Sequence, residues 1–148
     1  MRDPVVLGPG EGTNRGLFGS TLIVKASGAD TGGAYSLIEA GLEPGSVGPL
    51  PHKHLDREES FFVFQGQIDF RVGDDIIPAI PGSFLLVPRG VVHTFVNAGE
   101  ARAGLVLIHS PSFEGYFEEL KALADSGETD PKAYAEMMAR WGMEVVTP

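Results

Sequence analysis

Short apolar segments separated by glycine- and proline-marked turns dominate this chain, and in the clearest of them the apolar residues recur at every second position. Ile68, Phe70 and Val72 alternate with Gln67, Asp69 and Arg71, which is the pattern of a strand with one buried face. Just before it lies the aromatic run Phe61-Phe62-Val63-Phe64 within Ser60–Gln65, and Gly66 turns one segment into the next. Gly73-Asp74-Asp75 and Pro81-Gly82 mark further turns, framing Ile76–Ile80 and Ser83–Val87, with Val91–Val96 and Ala103–His109 beyond. Upstream, Phe18–Ala26 and Ala34–Leu42 carry the same signal, and Glu43-Pro44-Gly45-Ser46 is a turn. Strands repeating at intervals of roughly eight to twelve residues predict an all-β sandwich or barrel. Closing the sheet also removes exposed edges. The 20 glycines and 11 prolines of the 148 residues fall between these runs, so they read as turns and not as disorder.

After Pro111 the period changes. Phe113, Phe117, Leu120 and Ala124 recur at helical spacing behind Ser112, a candidate cap. Asp130-Pro131 begins a second helix with Tyr134, Met137, Met138 and Trp141 on its apolar face, and Gly142 is placed to end it. One domain over 1–148 is expected, with an N-terminal arm (1–16), a barrel (17–110) and a helical C-terminal extension (111–148). The helices can pack on the outer sheet, cover the barrel mouth or form a contact between copies.

A net charge of −9 argues against nucleic acid and anionic membrane surfaces as partners. The absence of cysteine excludes disulfides and thiolate metal sites. No apolar run approaches the roughly 18 residues of a membrane span, and no apolar segment follows Met1-Arg2-Asp3-Pro4. A cytoplasmic location is the expectation.

Three of the four histidines fall in two short segments, Pro51-His52-Lys53-His54 followed by Glu59 and Gly66, and Gly82 through Pro88-Arg89-Gly90 to His93 and Asn97. His52 and His54 are two apart, so on a strand they aim at one face. Glu59 has the opposite parity, and a bend or bulge must intervene. Glu58 has the right parity without one and is the rival ligand. If Glu59 faces inward, Phe61 and Val63 follow it. His93, with Val91 and Phe95, would share an inward face on a neighbouring strand. Three imidazoles and a carboxylate suit a divalent transition metal with open positions for a ligand. His109 ends a strand without such a partner pattern and reads as structural; Asp56, Arg57 and Glu58 read as a solvated loop.

These two segments resemble the two motifs of the cupin superfamily, Gly-x5-His-x-His-x3–4-Glu-x6-Gly and Gly-x5-Pro-x-Gly-x2-His-x3-Asn. The second is matched at every fixed position, and in the first only the leading glycine departs, at Ser46. The resemblance implies a double-stranded β-helix (jelly-roll) barrel, a homodimer, and a metal held by His52, His54, Glu59 and His93. The metal would be Fe, Mn, Ni, Co, Cu or Zn. The run Asp30–Glu39 and the segment Phe113–Leu120 are similar to cupins described as quercetin-dioxygenase-like. That likeness implies an O2-dependent dioxygenase acting on a small aromatic or enolic molecule, which in a quercetinase opens a flavonol ring and expels carbon monoxide. Glu59 would also serve as a base if burial raises its pKa. Phe61 and Phe95, and then Tyr35, Phe84 and Phe113, are the expected substrate wall. A metal-dependent isomerase or cyclase, or a non-enzymatic binding module, are the alternatives.

Overall fold

Two antiparallel sheets carry the alternation. The computed structural model describes residues 2–17 and 19–146, so Phe18, the expected start of one strand, lies outside the described residues. In chain order the elements are β1 (Thr13–Asn14), β2 (Ser20–Ala26), α1 (Gly28–Thr31), β3 (Ser36–Leu42), β4 (His52–His54), β5 (Glu58–Gln65), β6 (Ile68–Val72) and β7 (Asp75–Ala79). They continue with β8 (Phe84–Val87), β9 (His93–Val96), β10 (Ala103–Ser110), α2 (Glu114–Asp125), α3 (Pro131–Arg140) and β11 (Met143–Val145). One sheet has the order β1-β2-β3-β10-β5-β8 and the other β11-β4-β9-β6-β7.

The inward rows of the two sheets interdigitate as one core. Ile38, Ala40 and Leu42 of β3, Leu105 and Leu107 of β10, and Phe61 and Val63 of β5 meet Ile68 and Phe70 of β6 and Phe95 of β9. Phe61, Phe70 and Phe95 form a three-ring cluster with centroids 4.9–5.7 Å apart. Rings of this size dominate the apolar area a small barrel can bury.

Two glycines are required by close approach. Gly66, between β5 and β6, has φ 68°, and a Cβ there would meet the Arg102 carbonyl at 2.7 Å. Gly48 runs so close to β9 that a Cβ would lie 2.2 Å from the Phe95 carbonyl. Asn97, at the end of β9, buckles the sheets together: its side-chain amide donates to the carbonyls of Leu42 (3.0 Å) and Ala101 (2.9 Å).

A second, smaller core lies outside the barrel. Phe113 and Tyr116 at the start of α2 pack with Met137 and Met138 of α3 and Met143 of β11. Asp130 caps α3 as expected, accepting from the Lys132 N–H at 2.9 Å. Ser112 does not cap α2. The N-cap is Phe113, without a side-chain bond, because Ser112 is committed to the chain connection: its N–H donates to the Gly33 carbonyl. Besides the one-turn helix α1, two short strands were not expected from the sequence. The N-terminal arm contributes β1, which pairs with β2, and the C-terminal extension ends in β11, which pairs with β4 in the register Met143–His54 and Val145–His52. Both are too short for periodicity to reveal.

Candidate metal centre

On several strands an apolar inward row ends in a polar residue, and these residues gather at one end of the barrel. Glu59 precedes Phe61 and Val63 on β5, His93 precedes Phe95 on β9, and His109 follows Leu105 and Leu107 on β10; all are buried. His52 and His54 come from β4 and are buried, while Lys53 between them is half-buried.

The parity conflict between His54 and Glu59 is resolved by a crossover. β4 belongs to one sheet and β5 to the other, so residues 55–57 carry the chain across the barrel and Glu59 faces the histidines from the opposite wall. Arg57 pins this corner instead of lying in a solvated loop. It is 9% exposed, donates to the Ser112 carbonyl at 2.7 Å and to both oxygens of Asp56, and lies 4.4 Å from the centre of the Phe113 ring. Glu58 points away and pairs with Arg89 at 3.2 Å.

The four side chains His52, His54, Glu59 and His93 bring one ligand atom each to within 4.8 Å of one another. His52 lies directly across the ladder from His93, with ring centres 4.5 Å apart. Each of these two rings is anchored by its own backbone: His52 Nδ1 to the Leu50 carbonyl at 2.7 Å, His93 Nδ1 to the Val91 carbonyl at 3.0 Å. Anchoring Nδ1 leaves Nε2 as the outward nitrogen, an arrangement common in metal-ligating histidines. Nε2 of His54 and of His93 converge on Glu59 Oε2, at 3.0 and 2.8 Å. Three buried imidazoles and one carboxylate with ligand atoms this close together form a donor set that fits a divalent transition metal.

The electrostatics agree. Burial, reinforced by neighbouring His93, pushes His52 down to about 4, and burial lowers His54 too. Both are therefore neutral ligands at neutral pH. Burial is the largest influence on His93 and acts to lower it, but the hydrogen bond to Glu59, the charge of that carboxylate and the Val91 carbonyl together outweigh it and leave His93 raised. For Glu59, burial acts to raise the carboxyl. The surrounding histidines, His109 foremost, overcome burial and hold it well below the usual carboxylate range. The condition for a Glu59 base, a raised pKa, is thus reversed, and the group is suited to act as an anionic ligand.

His109, which reads as structural in the sequence, belongs to the site. It is 1% exposed, sits directly across the ladder from Glu59, and places Nε2 3.1 Å from Glu59 Oε1. The signal was present: His109 continues the inward alternation of Leu105 and Leu107.

A cavity of about 310 Å³ opens from the ligand group. Its walls include Leu22, Leu42, Phe95, Leu107 and His109 from the barrel, and Phe113, Phe117 and Leu120 from α2. Tyr134 and Met138 of α3 and Met143 of β11 complete it, so the helices cover the barrel mouth. Of the five aromatics expected to form the substrate wall, Phe95 and Phe113 line the cavity. Phe61 is inward but fully buried in the apolar core beneath His93. Phe84 is 61% exposed because the inward parity of β8 belongs to Leu85 and Val87. Tyr35 is 42% exposed and borders a separate surface cleft beside Lys25, because the inward row of β3 begins one residue later at Ser36.

Residues 39–109 match the family model described as Cupin domain. Nectarin-1 from Nicotiana langsdorffii x Nicotiana sanderae is 30% identical over 116 residues, covering 72% of this chain and 49% of its own length. The chain thus spans about half the length of that relative. Among solved structures, a sugar phosphate isomerase from a cupin superfamily of Silicibacter pomeroyi is 25% identical with a TM-score of 0.56, covering 62% of this chain and 59% of that one. An RmlC-like cupin from Shewanella frigidimarina superposes with a TM-score of 0.66 at 16% identity, over 78% of this chain and 97% of that one. KdgF from Halomonas sp. gives 0.59 at 20% identity, over 66% and 83%.

Proposed function

This chain belongs to the cupin superfamily, and we propose that it is a metal-dependent enzyme that oxidises a small, uncharged aromatic or enolic molecule with dioxygen. The cavity carries this reading. Among the described residues lining it, none is lysine or arginine. Away from the metal, a phosphate or carboxylate buried there would lack a cationic partner, which is costly. Its volume of about 310 Å³ is at the small end of the roughly 300–1,000 Å³ typical of small-molecule sites. The ligand would therefore be compact, with flat faces to set against Phe95 and Phe113.

A divalent transition metal held by His52, His54, Glu59 and His93 would supply a Lewis-acid and redox centre with open coordination positions. Glu59 contributes a fixed negative charge through Oε2. α2 and α3 exclude water from above, which strengthens every polar contact made inside. Tyr116 belongs to the same wall, and burial pushes its phenol above the ordinary value. It remains a neutral hydroxyl and adds no charge to the cavity.

A second reading, proton transfer within the substrate without dioxygen, is favoured by the likeness to the sugar phosphate isomerase. Metal analysis of the purified protein followed by oxygen-electrode screening against flavonols, diketones and quinol-like phenols separates the two. Oxygen uptake stoichiometric with substrate loss is the expected result. Full turnover under strict anaerobiosis would overturn the oxidative reading in favour of isomerisation.

The proposal includes a homodimer. β8 is the edge strand of its sheet, and its exposed Phe84 and Leu86 lie beside exposed Phe62 and Phe64 of β5. An open, apolar strand edge calls for a cover, and a second copy pairing through the same edge would supply one. Sedimentation should show a dimer that Phe84→Lys converts to monomer.

A further inference from the structure

The carboxylate of Glu59 is divided between two sets of partners. Oε2 faces His54 and His93, whereas Oε1 faces only His109 among the described residues. An ionised carboxylate is acceptor-only, so His109 Nε2 presents a hydrogen to Glu59, which leaves Nδ1 as the other polar atom of the ring. That Nδ1 is buried and has no partner among the described residues. His109 is also part of the cavity wall. Its ring is held by Phe113, at 4.8 Å between centres, and by Phe117 at 5.9 Å. It lies outside the group of four candidate ligands, yet it has two polar ends, one occupied and one free, at the boundary between carboxylate and cavity.

We propose that His109 is a positioning residue with two tasks. Its Nε2–H holds Glu59 Oε1, so that the carboxylate offers the metal one oxygen and cannot swing to offer both. Its free Nδ1 accepts a hydrogen bond from a hydroxyl of the molecule bound in the cavity, which selects phenolic or enolic hydroxyls over their ethers. The inference rests on the metal reading above and deepens it by naming the substrate feature recognised. A buried acceptor left unpaired is costly. A ligand hydroxyl relieves that cost, and an ether oxygen, which has no hydrogen to give, does not.

The test uses the full chain loaded with Co2+, whose visible absorption reports coordination number, together with catechol and its dimethyl ether veratrole, which has no hydroxyl, as probes. His109→Phe and His109→Leu remove both hydrogen-bonding ends; His109→Gln keeps a donor and an acceptor. Circular dichroism identifies which apolar variant folds, and one suffices. The expected result is near-stoichiometric Co2+ uptake with an altered cobalt spectrum, and catechol binding weakened about tenfold or more while veratrole binding is unchanged. His109→Gln should recover part of both signals. An apolar variant that takes up Co2+ with the wild-type spectrum and wild-type preference for catechol would overturn the inference and leave the metal reading intact. Wild-type protein that takes up no Co2+ would overturn both.

Discussion

Two cross-strand pairs face each other at the ligand end of the barrel, and they are held in different ways. In one sheet His52 stands opposite His93, and each ring is anchored by the carbonyl two residues before it, Leu50 and Val91. In the other, Glu59 stands opposite His109, and the anchor of each is the other, fifty positions apart along the chain. The first pair is oriented by local backbone; the second depends on β5 and β10 having found their register. Local anchoring fixes each ring without help from distant segments, whereas anchoring from across a ladder ties one carboxylate to a second residue of the cavity wall.

The contrast can be broken most strongly on the locally held side. His93→Ala should lower metal affinity by more than about 100-fold, beyond the 10–100-fold cost of losing an outer partner. Metal content of the purified variant, with circular dichroism to show an intact barrel, checks it. A variant retaining full metal content would refute the assigned site. Next comes the packing behind the distant pair. Phe113 is 2% exposed and touches the rings of His54 and His109 as well as Arg57. Phe113→Ala should destabilise the fold by about 3–5 kcal/mol, as expected for a fully buried aromatic. Thermal unfolding measures the loss, and a Co2+ titration of the folded variant should show the site weakened but still formed.

The neighbouring acids sharpen the comparison further. Glu59→Gln should weaken metal binding by about 10-fold or more, while Glu58→Gln, which disturbs only a surface pair with Arg89, should change stability by no more than about 0.5 kcal/mol and leave metal binding untouched. Parallel calorimetric titrations decide it, and equal losses would mean that the corner between β4 and β5 is wrongly placed. The smallest effect is expected at Tyr35→Ala. Its side chain borders a cleft away from the centre, so metal content and probe binding should match wild type.

Much of this architecture could be read from the chain because it is written at short range. Alternation located the strands, two-residue spacing aimed His52 and His54 together, and the turn at Pro88-Arg89-Gly90 placed His93. Parity also demanded a break between His54 and Glu59, although it could not reveal that the break is a passage from one sheet to the other. What escaped detection depends on pairing between distant segments. His109 became a partner of Glu59 only through the β5–β10 register. β11 is three residues long and exists because β4 offers it an edge. Phe84 and Tyr35 were misassigned because an aromatic signals burial by its type, whereas its direction is set by the phase of its strand.

The pairing of β11 with β4 has a consequence for how the centre comes into being. The strand carrying His52 and His54 lies early in the chain, yet its outer edge is closed by Met143–Val145, and the cavity is roofed by α2 and α3. A ribosome delivers these parts in order, so the histidines emerge well before the segments that bury them. During that interval the four donors are reachable by any ion in the surrounding fluid. Once the last strand docks, β11 and the helices cover that end of the barrel. A metal taken up at that stage would be chosen by what is abundant while the chain is being completed.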